Sequence, residues 1–488
     1  MATHAPMSPW SLVIPGEMMR ELERHLFPGD GDEHGAVIAA GITSTPRGTR
    51  LLARELFLAR DGQDYLPGTR GYRMLSASFI RDRIRHCRDE QLVYLAVHCH
   101  GGSDSVAFSA TDMASHRRGY PALLDIAKGQ PVGALVFARN AAAGDIWLTD
   151  GTQVPLSHTR VLGTPIRTLY PAPRPLPAHA DPAYDRHTRL FGDRGQDVLA
   201  ELKVGVIGAG GAGSLIIEQL ARLGVGHLII ADPERIEITN LPRVAGSTRF
   251  DALTWLVRDG RPEWLRRIGK RFASPKVRIA ARAARVANPA GKIEAIFGDI
   301  THAAVANRFV DCDYLFLAAD SMQARLVFNA LTHQYLIPGA QVGAKVQANK
   351  TTGEILDVFA VYRPVTPDLG CLWCNGLINS ARLQDEAVSP EERQAQRYVD
   401  DPTIIAPSVI TLNAIASAHA ANDFLFNVTG LLRSTASSEY LRFLPASRDV
   451  RFDLPRQDLG CLECGAGAQS RRARGGLRAL PTRQPHDR

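Results

Sequence analysis

Several groups of residues in this chain have the types and spacings that do chemistry. The first is glycine-rich: Lys203-Val-Gly-Val-Ile-Gly208-Ala-Gly210-Gly211-Ala-Gly213, followed by an amphipathic stretch and by His227-Leu-Ile-Ile-Ala-Asp232. Glycines at 208, 210 and 213 permit a tight turn, admit a phosphate against bare backbone and let a helix approach a sheet closely. The helix that opens at Gly211 offers free N–H groups to the anion. Asp232 stands where an acid accepts from ribose hydroxyls. Alone, these residues specify only an adenine nucleotide, because redox cofactors are bound by the same device. Arg243 in Thr239-Asn240-Leu-Pro-Arg243 and Lys276 in Ser274-Pro-Lys276-Val would neutralise a triphosphate, which carries more charge than a redox cofactor presents. Asp320 closes the hydrophobic run Tyr314-Leu-Phe-Leu-Ala-Ala-Asp320, at the carboxyl end of a strand where an open α/β sheet presents ligand-facing groups, here for Mg²⁺. The set reads as ATP chemistry.

Four of the seven cysteines fall in two pairs, Cys371-Leu-Trp-Cys374 and Cys461-Leu-Glu-Cys464, each preceded by glycine. Paired thiolates two residues apart, repeated once, match a tetrahedral structural zinc site. The alternative, two disulfides, belongs to secreted chains, and nothing in this sequence points to secretion. Nearer the N-terminus, Val93-Tyr-Leu-Ala-Val-His98-Cys99-His100 reads as a buried strand whose alternation puts both histidines on one side and Cys99 on the other. Asp112 follows, with Ser109 three residues before it, and Glu33 opens the apolar run that starts at His34. Two imidazoles and one carboxylate leave a zinc position open for water, and a second carboxylate can take that water's proton.

The elements that must position these groups follow from periodicity. A strand from Lys203, a helix from about Gly211 to Arg222 and a strand ending at Asp232 predict an α/β fold with a Rossmann-like, mostly parallel sheet. The His98 strand belongs to a separate α+β domain ahead of it. Between Thr164 and Pro182, prolines at 165, 171, 173, 175, 177 and 182 predict a stiff extended linker. The expected divisions are therefore 1–163, a linker at 164–182, an α/β domain at 183–466 and a tail at 467–488. A chain of 488 residues, 45% hydrophobic, can bury a core in each domain.

Charge and hydropathy exclude some classes. The formal net charge is +7, but six arginines fall between Arg471 and Arg488 among glycines and prolines, which predicts a solvated, disordered basic tail. Without an aromatic platform or a groove-reading motif, no specific nucleic acid is expected as partner. The N-terminal Met-Ala-Thr-His-Ala-Pro-Met-Ser-Pro lacks a basic head with an apolar core, so no signal peptide is expected. Val409 to Leu432 contains asparagines, a histidine and Asp423, which fits a buried helix better than a membrane span. A cytoplasmic, reducing location is expected.

At the glycine-rich, Asn240–Arg243, Lys276 and Asp320 motifs the chain resembles the ThiF/MoeB family and the adenylation domains of ubiquitin-activating enzymes. Tyr184-Asp-Arg186-His-Thr-Arg189-Leu-Phe-Gly192 is similar to their opening motif, and Pro407-Ser-Val-Ile-Thr-Leu-Asn-Ala is similar to their late buried helix. The resemblance covers about Ala183 to Ala466. It implies that Asp232 binds ribose, that Asn240, Arg243 and Lys276 bind phosphates, and that Asp320 serves the metal and the adenylate. It also implies that Arg186 is an arginine finger lent across a homodimer, and it supports zinc at the paired cysteines. Two departures stand out: Val244 replaces the glutamine usual after the motif arginine, and Asp251 to Arg267 is an insertion. No cysteine lies between Cys374 and Pro407, where a crossover loop would supply a catalytic thiol. This implies adenylation without an enzyme-bound thioester, with any later acyl carrier, such as a conjugating enzyme, supplied by a partner. The first third resembles the JAB/JAMM (Mov34/MPN) metallopeptidases over about Trp10 to Leu162, with Gly101 where that family has proline. That resemblance implies His98, His100 and Asp112 as zinc ligands, Glu33 as general acid/base and Ser109 polarising the tetrahedral oxygen.

The reading is an adenylyltransferase that activates the C-terminal carboxylate of a ubiquitin-like or sulfur-carrier protein with ATP, Mg²⁺ and structural zinc. It is fused to a JAMM-type domain that processes or deconjugates the modifier, a pairing that resembles bacterial ubiquitin-like modification systems. Three alternatives stay open: sulfur-carrier activation for cofactor biosynthesis, a metallopeptidase with an inactive adenylation domain, and a non-enzymatic docking scaffold.

Overall fold

In the computed structural model of the chain, residues 9–67, 71, 73–175, 181–348, 355–387, 408–434 and 438–483 are described. The expected leaderless start at 1–8, part of the proline-rich run at 176–180, the crossover stretch with Pro407 at 388–407 and the last five positions, 484–488, lie outside the described residues. The chain divides into two compact units, one of Met1–Leu176, His333–Leu336 and Leu459–Ala479, the other of Pro177–Thr332, Ile337–Asp458 and Leu480–Arg488.

The first unit is an eight-stranded sheet. Its strands are β1 (Trp10–Pro15), β2 (Gly35–Thr45), β3 (Gly48–Leu58), β4 (Val93–Cys99), β5 (Val132–Phe137), β6 (Ala142–Trp147), β7 (Gln153–Leu162) and β8 (Arg167–Leu169). They lie in the order β1-β3-β2-β4-β5-β6-β7-β8, and β1 also pairs with β7. The near-continuous apolar run of β2 is what a strand covered on both faces requires. Ile38 packs on one face with Leu95, Leu135 and the side chains Met19, Leu22 and Leu26 of α1 (Gly16–Leu26). Val37 packs on the other with Tyr94, with Phe79 and Ile84 of α2 (Ala77–Asp89), and with Tyr120 of α3 (Ala110–Ala127). Each such side chain contributes roughly 1.5–3 kcal/mol of burial, so β4, paired between β2 and β5, is a rigid platform for whatever its end carries.

Two expectations are corrected in this unit. The stretch 164–182 is not all linker, because Arg167–Leu169 forms β8 against β7 and Tyr170 and Pro171 accept backbone hydrogen bonds from Ala142 and Val106. The region from 467 on is not a solvated tail as far as it is described. Gly475 bridges Ile42, Ala473 is fully buried, and a Cβ at Gly41 would lie 1.9 Å from the Ala473 carbonyl oxygen. The buried Arg54 guanidinium donates to the carbonyls of Gly467 at 2.9 Å and of Arg472, and Arg474 donates to Glu90 Oε2 at 2.6 Å. Arginines that composition assigns to solvent serve as donors to carbonyl oxygens along an ordered strap.

The second unit holds β9 (Lys203–Ile207), β10 (His227–Asp232), β11 (Lys292–Phe297), β12 (Tyr314–Leu317), β13 (Gly339–Ala348), β14 (Ile355–Val365), β15 (Tyr440–Leu444) and β16 (Asp449–Asp453), ordered β11-β10-β9-β12-β13-β14-β15-β16. The first five in that order pair in parallel and the rest antiparallel, so the α/β expectation holds here. The helical segments that follow α3 are α4 (Asp185–Glu201), α5 (Gly211–Arg222), α6 (Thr254–Val257), α7 (Glu263–Phe272), α8 (Lys276–Ala287), α9 (Ala303–Ala306), α10 (Met322–Gln334), α11 (Ser380–Ala387) and α12 (Ile410–Thr429). Ala212, Gly213, Ile216, Ile217 and Leu220 make the buried stripe of α5 at helical spacing. α12, the late buried helix, ends on Gly430 with φ 79°, the left-handed stop that glycine accepts without strain. Among the described residues no helix is long and apolar enough to cross a membrane. The strand order reverses between β9 and β12, and an open sheet places ligands at the carboxyl ends beside such a reversal.

Candidate functional site

At the carboxyl end of β9 the chain turns at Gly208 with φ 98°, a conformation that disfavours a side chain. A Cβ at Gly213 would lie 1.9 Å from the Gly208 carbonyl oxygen, so the first turn of α5 closes directly on the loop. At Gly210 a Cβ would meet nothing within 4 Å, which leaves open space over the N-cap of α5 where an anion can approach. Gly211 is tight for a different reason: a Cβ there would lie 2.4 Å from Nδ2 of Asn413, on α12. Ser417, one turn further along α12, donates to the Ala212 carbonyl at 3.1 Å. Ser417 lies outside every sequence motif, and Asn413, although part of the Pro407–Ala414 motif, has no role readable there, because the partners of both lie some 200 residues away in the chain. The buried polar face of α12 is the signal that would have found them.

Asp232 ends β10 and turns back onto the loop, with Oδ2 accepting from the Ala209 amide at 2.7 Å and Oδ1 from Glu234 at 2.8 Å. Burial raises its pKa above the ordinary carboxylate value, and the two backbone bonds only partly oppose this. Asn240 is buried and its Oδ1 accepts from Glu237 at 3.2 Å, which fixes the 3₁₀ turn that leads to the half-buried Arg243. That loop is tied to α5 by the Ala245 amide, which donates to Ser214 Oγ at 3.0 Å. Lys276 opens α8 and is 6% exposed; its ammonium is bonded to the Glu234 carboxylate, and its amide donates to the Glu234 carbonyl at 3.0 Å. Glu234, two residues after Asp232, is therefore a site residue that sequence reasoning missed.

Asp320 follows β12 and is exposed, next to the open edge of the loop where Ala318 approaches Gly208. Its carboxylate partly offsets the burial that lowers the pKa of Arg325 in α10. Arg186 is exposed on the first turn of α4, and no described residue of the cluster engages its side chain. The structure thus brings Gly208, Gly210, Gly211, Gly213, Asp232, Asn240, Arg243 and Lys276 into one bonded network, sets Asp320 at its rim, and leaves Arg186 outside it. Val244, in the position of the usual glutamine, is 3% exposed in an apolar cluster with Ile236, Ala252, Ala273 and Ile279. A glutamine there would bury an amide without a water partner.

In the second unit the sulfurs of Cys371 and Cys374 lie 3.6 Å apart, and in the first unit Cys461 and Cys464 make another pair at the same spacing in sequence, each the kind of thiol pair that structural zinc sites use. The other three cysteines, Cys87, Cys99 and Cys312, are buried, and burial pushes the Cys87 thiol up to about 12. None of these three has the exposure that acyl transfer needs.

In the first unit β4 carries His98 and ends just before His100, and the strand alternation sends Cys99 the other way, where its thiol donates to the Leu26 carbonyl at 3.0 Å. His98 Nε2 and His100 Nε2 lie 3.2 Å apart, and Asp112 Oδ2 lies 3.6 Å from the first and 3.3 Å from the second. Glu33 Oε1 stands 3.8 Å from His100 Nε2. Burial would raise the Asp112 carboxyl, but hydrogen bonds from His98 and Ser109 outweigh it and hold the group well below the usual carboxylate range. Ser109 is the N-cap of α3 in a capping box, with its Oγ donating to Asp112 Oδ2 at 2.7 Å and accepting from the Asp112 amide at 3.1 Å. Its hydroxyl orients a candidate ligand. The ligand atoms of His98, His100 and Asp112 lie within 4.8 Å of one another, a three-donor set that fits a metal with one position open.

The model of the ThiF family matches residues 184–448, more than half of the chain, and so spans the whole cluster around Gly208, Asp232 and Lys276. The chain belongs to the ThiF family. Among curated relatives, it is 30% identical over 157 residues to the sulfur carrier protein ThiS adenylyltransferase of Bacillus subtilis, covering 32% of this chain and 41% of that protein. It is 28% identical over 148 residues to the SAMP-activating enzyme E1 of Haloferax volcanii, covering 30% and 47%. It is 25% identical over 206 residues to the ubiquitin-like modifier-activating enzyme 5 of Drosophila willistoni, covering 40% and 44%. The chain spans less than half the length of each of these three relatives. The ThiF match begins after the first 183 residues, so the His98 cluster lies outside it.

Proposed function

We propose that this chain uses ATP to adenylate the C-terminal carboxylate of a ubiquitin-like or sulfur-carrier protein. The observation that carries the reading is the bonded cluster at the β9 and β10 ends, in which a glycine loop, Asp232 and the buried Lys276 converge on one open N-cap. The names of the three relatives support the substrate class. The Gly210 opening receives phosphate against backbone N–H groups, Asp232 orients the ribose, and Lys276 and Arg243 offset the charge that grows on the α-phosphate as the carboxylate attacks. Attack forms a carboxyl–phosphate bond and expels pyrophosphate, which leaves an acyl-adenylate. Lys276 leaves Glu234 when a triphosphate offers it a stronger anion. Asp320, exposed at the rim of the cluster, would hold Mg²⁺, which would offset negative charge on the phosphates. Arg186 is proposed as a finger supplied by a second copy in a homodimer. The four cysteines are proposed to hold structural zinc, and the absence of any cysteine from the crossover stretch favours transfer of the activated acyl group to a partner's nucleophile.

The test is pyrophosphate exchange with a glycine-ended carrier. Asp320→Ala should abolish exchange without loss of fold, because the residue is exposed and removes no core volume.

A second activity rests on a separate observation, the His98, His100 and Asp112 donor set with Glu33 beside it. We propose that this set holds zinc and that Glu33 moves the proton of a bound water for peptide or isopeptide hydrolysis at the modifier's tail. Cleavage of a tail-extended or amide-linked carrier by zinc-loaded protein tests it. No cleavage with retained carrier binding would make the domain a docking module.

A further inference from the structure

The insertion between the Arg243 loop and Lys276 is firmly anchored below and unburied above. At its base, Asp251 accepts from both guanidinium nitrogens of Arg282, at 2.9 and 2.8 Å, and from Thr248 Oγ1 at 2.7 Å. The Ser274 amide donates to the Asp251 carbonyl at 2.9 Å, and Ala252 packs into the cluster with Val244 and Ile279. The base is thus fixed to the loop of Asn240 and Arg243 and to the helix that Lys276 opens. Above it, α7 turns Gly269 onto α6, where a Cβ would meet Val257 at 2.5 Å. Trp264, Ile268 and Phe272, four residues apart on one stripe, are left 63%, 41% and 69% exposed. Phe250 and Trp255, with ring centroids 5.3 Å apart, add two more exposed aromatics at 73% and 43%. Scattered exposed apolar residues need no explanation, but five large ones within 23 residues, held by a rigid base, mark an interaction surface.

The charge around this stripe says what it meets. Residues 249–272 contain six arginines and one lysine against three acids, a net of 7 − 3 = +4. Asp251 is turned inward to Arg282, and Glu263 is occupied by Arg266 and Arg267. Among the described residues, no ion pair engages Arg249, Arg258, Arg261, Lys270 or Arg271. A second copy of the chain seated on this face about a two-fold axis would set cations against cations. The geometry points to this face as the dock for the carrier protein itself: a small acidic protein with an apolar patch, held on Trp264, Ile268 and Phe272 while its C-terminal tail reaches the Lys276 cluster. The inference rests on the adenylation reading, since only that reaction requires a protein tail beside Lys276. Aromatic anchors ringed by arginine are what protein interfaces use to fix a partner.

The experiment measures pyrophosphate exchange by the full chain with three carriers, Bacillus subtilis ThiS, a Haloferax volcanii SAMP and ubiquitin, and takes the one that drives exchange as the probe. Trp264→Ser/Phe272→Ser should raise the KM for that carrier at least about tenfold, with KM for ATP and the melting temperature unchanged. Lys270→Glu/Arg271→Glu should raise it too and flatten its dependence on salt. Exchange with an unaltered carrier KM in both variants overturns the docking face and leaves adenylation standing. No exchange by the wild-type protein with any carrier overturns the adenylation reading, and the docking face with it. Two other results also overturn the proposal. One is a variant that sediments as a smaller species than the wild type, which makes the stripe a contact between copies. The other is Trp264-dependent sedimentation with phosphatidylglycerol vesicles, which makes it a lipid surface.

Discussion

The two clusters of this molecule are built on opposite plans. The nucleotide cluster draws on the ends of β9, β10 and β12, the head of α8 and the polar face of α12, and it is held by backbone bonds that reach across elements, such as Ala209 to Asp232 and Ala245 to Ser214. The His98 donor set draws on one strand end and one helix cap, with Ser109 and Asp112 only three residues apart and Glu33 beside it from the segment ahead of β2. A site assembled from many elements is sensitive to the whole unit. A site made of one strand and one cap depends on its own few side chains, and the difference can be tested from both sides.

The largest effect is expected at the compact cluster. Glu33→Ala should retain the metal and lose hydrolysis by about 10²–10⁴-fold, whereas His98→Ala should lose both, read by elemental analysis alongside a tail-cleavage assay. If Glu33→Ala also emptied the site, Glu33 would be a ligand and the division of roles wrong. The four-cysteine set separates structure from rate. Cys461→Ser/Cys464→Ser should lower zinc content by one equivalent and lower the unfolding temperature, since structural thiolate sites contribute directly to folding. Unchanged zinc in that protein, with His98 also replaced, would remove the assignment.

Smaller effects probe the frame around each site. Arg54→Ala strands the carbonyls of Gly467, Ala468 and Arg472 that the guanidinium serves, which should cost about 3 kcal/mol in denaturant unfolding of the first unit. A loss below about 0.5 kcal/mol would return the strap to solvent. At the base of the insertion, burial works against ionisation of Asp251, but Arg282 and Thr248 hold its carboxyl at about 2, below the ordinary 3.8. A depressed carboxyl contributes stability that is full above its unfolded value and lost as pH falls through the folded one. The insertion should therefore loosen between about pH 4 and pH 2, by roughly 2 kcal/mol in total. Trp264 and Trp255 fluorescence reports it, and Asp251→Asn should abolish the transition.

Much of this was legible in the residues. Gly208, Gly210, Gly213 and Asp232 announce themselves because a strand, a turn and a helix are consecutive in the chain, so local spacing carries the geometry. The alternation around Cys99 was equally local. Asn413 stands in the motif of the late buried helix, but its contact with Gly211 exists only where α12 crosses the loop, and Glu234 carries no motif that announces its bond to Lys276. The strap from 467 was misjudged for a physical reason: composition weighs arginine as a solvated charge, whereas Arg54 and Arg474 bond carbonyls and Glu90. Val244 was noted as a departure, and its meaning emerged only with the apolar cluster beneath the insertion.

On the proposed function, the bonded cluster around Lys276 activates a carboxylate with ATP. Carrier-dependent exchange of labelled pyrophosphate into ATP tests it most directly, comparing the wild-type chain with Lys276→Ala. Exchange should need a glycine-ended carrier and fall by about two to three orders of magnitude in the variant, the loss of about 3–4 kcal/mol expected when a charge that stabilises the transition state is removed. Near wild-type exchange in Lys276→Ala, or none in the wild type with any carrier, would contradict it.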